Sequence, residues 1–293
     1  MKRIFHTCYR GIFFRDLFVL FVATVSLSNS MLAAEPSGRE LYFSFLGEQF
    51  DNDSLVPLGR GTVRLLQPRS GGLLFNLPAG YQLSAVGVSP RFQIHGDFEI
   101  TASYEVPGWK IPESGYGMGP SLYLKLHDEK ESAVMIGRLL RPKNKHVFSA
   151  TLSTTADSKR NYDVKLYDAQ TNSGKLRLVR QGSLLKFFVS EGPGESFREL
   201  REVELGTADV DLIRMGVQQS DIKTPVQVLW KDLTLKAEAF PNHPDSQAKG
   251  VQYHVPTYHP APQPEPISLL WSLVAGVTLL LLLGTVIWVK KRA

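Results

Sequence analysis

Asp97, Glu99 and Glu105 fall on one face of a short alternating segment. Residues two apart on an extended strand lie about 6.5–7 Å from each other. That is near the separation at which two carboxyl groups act on a glycosidic bond, one as acid and one as base or nucleophile. Asp97 and Glu99 are therefore the alternative catalytic pair. Solvated strand residues account for the same acids, because charged side chains normally occupy the wet face of a half-buried strand. On that preferred reading the chain has no catalytic residue. A second group suits binding better. The loop Pro107–Pro120 carries Trp109 and Tyr116 among four glycines, and the strand after it carries Tyr123 and His127. Aromatic faces presented beside polar groups can stack on sugar rings. Trp109, Tyr116, Tyr123 and His127 are thus the expected binding residues, with one competing role: a loop tryptophan also serves to pin its loop to the rim of a sandwich.

Other chemistries find little support. Asp51-Asn52-Asp53 offers oxygens but lacks the later glutamate of a calcium loop, so an Asx turn is expected. Gly115, Gly117 and Gly119 precede no helix N-terminus that could hold a phosphate. Arg138, Arg141, Lys143 and Lys145 read as a solvated basic turn, offset elsewhere by Glu199, Glu202 and Glu204. No serine sits in a nucleophile elbow. Cys8 is the single cysteine and lies in the leader described below, which excludes disulfides and thiol chemistry from the rest. No metal and no cofactor are expected.

The elements that must hold these residues have a period of two. In Asp97–Val106 the residues Phe98, Ile100, Ala102, Tyr104 and Val106 share one face, as a half-buried strand requires. Leu122, Leu124 and Leu126 point inward from the next strand, and Tyr123, Lys125 and His127 outward. Leu176 and Leu178 lead into Arg180-Gln181-Gly182-Ser183, and Leu185, Phe187 and Val189 return. Gly182 supplies the positive φ of a tight hairpin. Glu191-Gly192-Pro193-Gly194 forms the next turn before Phe197–Leu205. Val226, Val228 and Trp230 are in one phase and Leu233, Leu235 and Ala237 in the other, the slip that a β-bulge produces. Further strands are expected at 41–46, 63–66, 73–77, 83–88, 132–140 and 146–153. About a dozen antiparallel strands without a helical stripe make an all-β sandwich or barrel over residues 35–240.

The two ends set the expected location. Residues 1–34 read as a signal peptide: a basic start, the apolar run Leu17–Leu27, then small residues. Ile267–Val289 is 23 residues without a charge, about 35 Å as a helix, against a bilayer core of about 30 Å. Lys290-Lys291-Arg292 follows at once, so the tail 290–293 belongs in the cytoplasm and residues 35–266 outside it. Between them, residues 241–266 hold seven of the 18 prolines and read as a stalk, with His243, His254 and His259 as solvated residues. Of 33 basic residues seven lie in the two end segments, against one of 28 acids, leaving 26 bases and 27 acids in residues 35–266. The net +5 therefore belongs to the ends, and a nucleic-acid partner is not indicated.

The stretch Gly96-Asp97-Phe98-Glu99-Ile100-Thr101 resembles the strand that opens laminin-G-like and concanavalin A-like jelly rolls. The hairpin Gly174–Phe188 and the closing Trp230-Lys231-Asp232-Leu233-Thr234-Leu235 are similar to later strands of that superfamily. The resemblance covers about residues 40–238 and is nearest to bacterial exported domains. It implies two curved antiparallel sheets, one of them concave, and a scaffold that carries lectins, glycanases and spacers alike. Glycanases of this fold carry Glu-x-Asp-x-x-Glu, whereas here the acids read Asp97, Glu99 and a displaced Glu105. Pro264-Glu265-Pro266 before the apolar span and basic tail is similar to a PEP-CTERM sorting signal. The function this implies is a membrane-anchored, externally displayed module that binds glycan or another envelope component. A glycoside-active enzyme and a purely structural envelope protein stand as alternatives.

Overall fold

The structure, a computed structural model, describes residues 38–244 except 48–49, 60, 82–85 and 193. The leader, the apolar span, its basic tail, the Pro264-Glu265-Pro266 motif, His254 and His259 lie outside the described residues. Among the described residues no helix is long and apolar enough to cross a membrane.

Among the described residues fifteen strands form two antiparallel sheets. Sheet I contains β1 (Arg39–Ser44), β3 (Leu66–Arg69), β4 (Gly72–Leu77), β6 (His95–Glu105), β11 (Ser173–Gln181), β12 (Leu184–Glu191), β13 (Arg198–Glu204) and β15 (Val226–Ala239). Its order is β13-β12-β11-β6-β15-β4-β3, with β1 also paired to β15. Sheet II contains β2 (Leu55–Leu58), β5 (Val86–Pro90), β7 (Met118–Leu126), β8 (Ala133–Arg141), β9 (Lys145–Ala156), β10 (Lys159–Asp168) and β14 (Val210–Gln219), in the order β10-β9-β8-β7-β14-β5-β2.

Alternation decides which side of each strand enters the core. Phe98, Ile100, Ala102 and Tyr104 from β6 are buried, as are Leu122, Leu124 and Leu126 from β7. Leu176 and Leu178 meet Leu185, Phe187 and Val189 across the β11–β12 hairpin, whose Gly182 adopts φ +58°. Each fully buried Leu or Phe contributes roughly 1.5–3 kcal/mol relative to an exposed one. In β15 the pairing with β6 shifts between Trp230 and Asp232. Val228 and Trp230 before the shift, and Leu233 and Leu235 after it, are all inside.

Four expectations need correction. Residues 62–64 form a 3-10 turn rather than the start of a strand, and β3 begins only at Leu66. The left-handed Gly61 and the bond from the Thr62 hydroxyl to the Leu58 carbonyl tighten the chain there. Strands β2, β10 and β14 are additional; β10 has an irregular burial pattern because it is an edge strand. The sandwich also continues past residue 240. His243 is buried edge-on against Phe92 (5.0 Å between centroids), and the Gln93 N–H donates to the Pro241 carbonyl. His243 is therefore packed rather than a solvated stalk residue. Finally, Arg138 is wholly buried, not part of a solvated turn.

Candidate functional site

Asp97 and Glu99 occupy the outer face of sheet I, and each has a structural partner. Asp97 Oδ1 accepts the Gly182 N–H at 2.7 Å and so holds the tip of the β11–β12 hairpin. Glu99 pairs with Arg177 at 3.4 Å, and Glu105 with Lys231 at 2.6 Å. Thr101 and Ser103, which share this face, are buried. These acids belong to a cross-strand charge lattice in which each already has a partner. Asp51 behaves as expected: its Oδ1 accepts the N–H groups of Asp53 and Ser54 in an Asx turn. The N–H and hydroxyl of Ser54 help hold its carboxyl below the ordinary aspartate range, against the opposing pull of burial. Among the described residues no cluster of His, Cys, Asp and Glu suits a metal ion.

Trp109 sits at the rim between the sheets. Its Nε1 donates to Asn172 Oδ1 at 2.7 Å, the ring stands edge-on to His146, and the Arg138 guanidinium lies 5.2 Å from the ring centroid. Gly119, at φ +145°, leaves the space, since a Cβ there would lie 3.0 Å from Trp109 Cη2. Arg138 bonds the carbonyls of Thr171 and Leu139 and reaches His146 Nδ1 at 2.9 Å. Buried arginine donors must find acceptors, and here they find backbone and imidazole. Trp109 is thus clamped on several sides, the arrangement of a rim anchor.

Tyr116 and Tyr123 share a different surface, the outer face of sheet II. The register puts Gly87, Gly216, Ser121, Gly137 and Ser149 side by side across β5, β14, β7, β8 and β9. At about 4.8 Å per strand this floor of small residues is roughly 20 Å long. Long side chains lie over it. On one side Tyr123 is covered by the Arg214 guanidinium, 4.9 Å from its centroid. On the other, the Tyr116 hydroxyl is 2.5 Å from Ser149 Oγ, which continues to Thr151 Oγ1 at 3.2 Å, and Arg141 stacks on the Tyr116 ring at 5.5 Å. Both tyrosines are half-buried. Burial raises the Tyr123 phenol above its ordinary value, with Arg160, Arg214 and Lys125 pulling it down and Glu131 up. Ser121 Oγ is buried on the floor and has no hydrogen-bond partner.

The loop that carries Tyr116 is tied down independently. Gly117 and Ser220 bond reciprocally, and the Glu113 N–H donates to Asp221 Oδ2 at 2.8 Å. That N–H and the Thr224 hydroxyl hold the Asp221 carboxyl below the ordinary aspartate range. His127 lies apart from the tyrosines, at the end of β7, in an open depression of about 560 Å³ where Lys125 contacts Glu131 and Asp211. The four expected binding residues therefore separate into a rim anchor, a tyrosine pair on one face, and a histidine in a mixed-charge hollow. Arg141 packs on Tyr116 rather than standing in the solvated turn, and Arg214, Ser121 and the exposed Tyr162 add to the residues expected from sequence. The alternation Ile213, Met215, Val217 is the signal that would have placed Arg214 on the outer face.

Two face-packed antiparallel sheets of this order define a concanavalin A-like jelly-roll β-sandwich. The chain belongs to the family described as "Protein of unknown function (DUF1583) C domain", whose model matches residues 45–252. No match was found among curated proteins. Among solved structures the chain is similar to LamAcat from Zobellia galactanivorans, at 8% identity and a TM-score of 0.50, covering 67% of this chain and 96% of that one. It is also similar to the GH43 BlXynB protein from Bacillus licheniformis (9% identity, TM-score 0.49, covering 67% of this chain and 39% of that one). A glycosyl hydrolase family protein from Mycobacterium fortuitum gives 9% identity and a TM-score of 0.47, covering 67% and 98%. The likeness to LamAcat is one of fold.

Proposed function

We propose that this chain is a membrane-tethered sandwich, displayed outside the cytoplasm, that binds glycan without cleaving it through the outer face of sheet II. The observation that supports the reading is the small-residue floor with Tyr116 and Tyr123 lying over it. Contacts with Arg141, Arg214 and Ser149 hold the two rings in place, and such preorganisation lowers the ordering cost of binding. Ser121, Ser149 and Thr151 are buried beneath the rings, which leaves the tyrosines and the arginines on them as the groups a ligand would meet. Asp and Glu are absent from the described floor positions and from the rows beside them on β14, β7, β8 and β9. Hydrolysis by the usual route needs a carboxyl pair across the scissile bond, and Asp97 and Glu99 are committed on the opposite sheet. These facts favour binding over catalysis.

The test is affinity electrophoresis of the full chain in mild neutral detergent through gels containing β-glucan, xylan, polygalacturonate or no polymer. One or more polymers should retard it. Tyr116→Ala and Tyr123→Ala should each weaken retardation about tenfold, the equivalent of about 1.4 kcal/mol. Trp109→Ala should instead lower the melting temperature and leave the affinity of the folded fraction nearly unchanged. A chain that migrates identically in all gels would refute the reading.

A further inference from the structure

The outermost strands of the two sheets differ in how they meet solvent. Strands β2 and β3 contain Pro57 and Pro68, and each so lacks a backbone donor. Strand β13 is interrupted by the register shift at Phe187–Phe188. Strand β10 has neither device. Its ten residues contain no proline and run in unbroken register against β9, from Lys159 opposite Ala156 to Asp168 opposite Val147. Among the described residues no strand lies on its other side. A long, regular, unpaired edge is a template for another strand. The ladder decides which groups face that edge. The Ala169 N–H donates to the His146 carbonyl at 3.3 Å, which extends a ladder in which the odd-numbered residues of β10 bond to β9. The Thr155 N–H, opposite Arg160, donates instead to the Lys130 carbonyl. Arg160, Tyr162, Val164, Leu166 and Asp168 therefore turn their N–H and C=O groups to the open edge. Tyr162, Val164 and Leu166 share the outer face of sheet II with Ser153, Thr151 and Ser149, and Tyr162 is 68% exposed there.

We propose that β10 pairs antiparallel with β10 of a second copy of this chain, about a two-fold axis through Val164, so that sheet II continues from one copy into the other. The strand is complementary to itself in that register. Asp163 comes opposite Lys165 of the second copy, Tyr162 opposite Leu166, and Val164 opposite Val164. Opposite charges and aromatic–aliphatic contacts at directly opposed positions are what stabilise antiparallel pairs. Asp163 already accepts from Arg201 at 2.6 Å, which holds the carboxyl below the ordinary aspartate range, and a carboxylate has lone pairs left for a lysine. Arg160 stays over Thr155 and Ser153, to whose hydroxyls it donates, and the pairing does not need it. Neighbouring registers fare worse. An axis through Asp163 or through Lys165 sets like charges face to face. An axis through Tyr162 opposes Lys159 to Lys165, and one through Leu166 leaves Asp163 opposite Ala169. A contact along one edge is small, so the dimer is a reversible one. It does not depend on the glycan reading, although it sets two copies of the tyrosine face in one continuous sheet.

The experiment is sedimentation of the full chain in density-matched neutral detergent over a concentration series, with the melting temperature of each variant measured beside it. The natural chain should interconvert between monomer and dimer. Val164→Pro removes a donor that faces the open edge and not β9. It should melt near the natural temperature and raise the dissociation constant about tenfold or more. Asp163→Lys and Lys165→Asp each bring like charges together, so each should be monomeric alone. Mixed, the two variants restore every opposite pair within one heterodimer and should associate nearly as tightly as the natural chain. A natural chain that stays monomeric throughout the series would overturn the proposal. So would a dimer that survives Val164→Pro unchanged, because association would then lie elsewhere, as in the apolar span. Failure of the two folded charge variants to pair on mixing would overturn it as well. If Asp163→Lys fails to fold for want of its Arg201 pair, Lys165→Asp still decides, since undiminished self-association of that variant refutes the register.

Discussion

At the scale of single residues, the molecule separates three aromatics that sit close in sequence. Trp109 is used to close the rim, while Tyr116 and Tyr123 face outward from sheet II. The clamp on Trp109 depends on the protonation of His146. A guanidinium has only donors, so His146 Nδ1 must accept from Arg138, which requires a neutral ring at that nitrogen. Burial first, and then the Arg138 charge, lower the His146 pKa below its ordinary value. The folded state thus binds this proton less readily than the unfolded chain. The associated stability is complete above the unfolded value of about 6.5 and is lost as pH falls below it. Melting temperature should therefore drop between pH 7.5 and pH 5 more steeply in the natural protein than in His146→Gln. Equal slopes in the two proteins would remove this role for His146.

At the scale of elements, β15 shows how one residue can reorganise a strand. Lys231 is the extra residue at the shift between Trp230 and Asp232, and it lets both apolar sets enter the core. Deleting Lys231 would place Leu233 two positions after Trp230, so all six apolar residues would share one face of a regular strand. The variant should fold, with β-type circular dichroism and a modestly lower melting temperature from loss of the Lys231–Glu105 pair and local curvature. Deleting Thr234 instead drives Leu235 and Ala237 to the wrong face, and that chain should yield no folded protein. Folding of the Thr234 deletion, or failure of the Lys231 deletion, would contradict this account. The bulge was legible from sequence because the apolar phase changes there. Strand β10 was not, because an edge strand with one poorly covered side has no apolar phase to read.

At the scale of the whole molecule, the proposed outward display rests on the ends of the chain. In right-side-out membrane vesicles, added protease should remove residues 35–266 and spare the basic tail after Val289. Protection of the sandwich together with the tail would reverse the topology. Within the sandwich, local alternation was enough to determine an all-β sandwich or barrel, the β11–β12 hairpin and the buried faces of β6, β7 and β15, because burial on one side imposes a period of two. The two-sheet form came from the family resemblance. Local alternation says which side of a strand is outside. It does not say which other strands share that outside. Asp97 and Tyr123 both read as outward residues, yet the pairing order puts one on a charge lattice and the other beside Arg214 on the opposite sheet. Arg138 read as solvated because it lies near a basic turn, and only the closure of the rim over it buried its guanidinium. The row Gly87, Gly216, Ser121, Gly137, Ser149 is scattered over more than 120 positions of sequence and becomes a floor only when five strands align. Sequence determines periodicity because that depends on neighbours along the chain. Tertiary structure decided the site because cross-strand register brings together residues that no local pattern links.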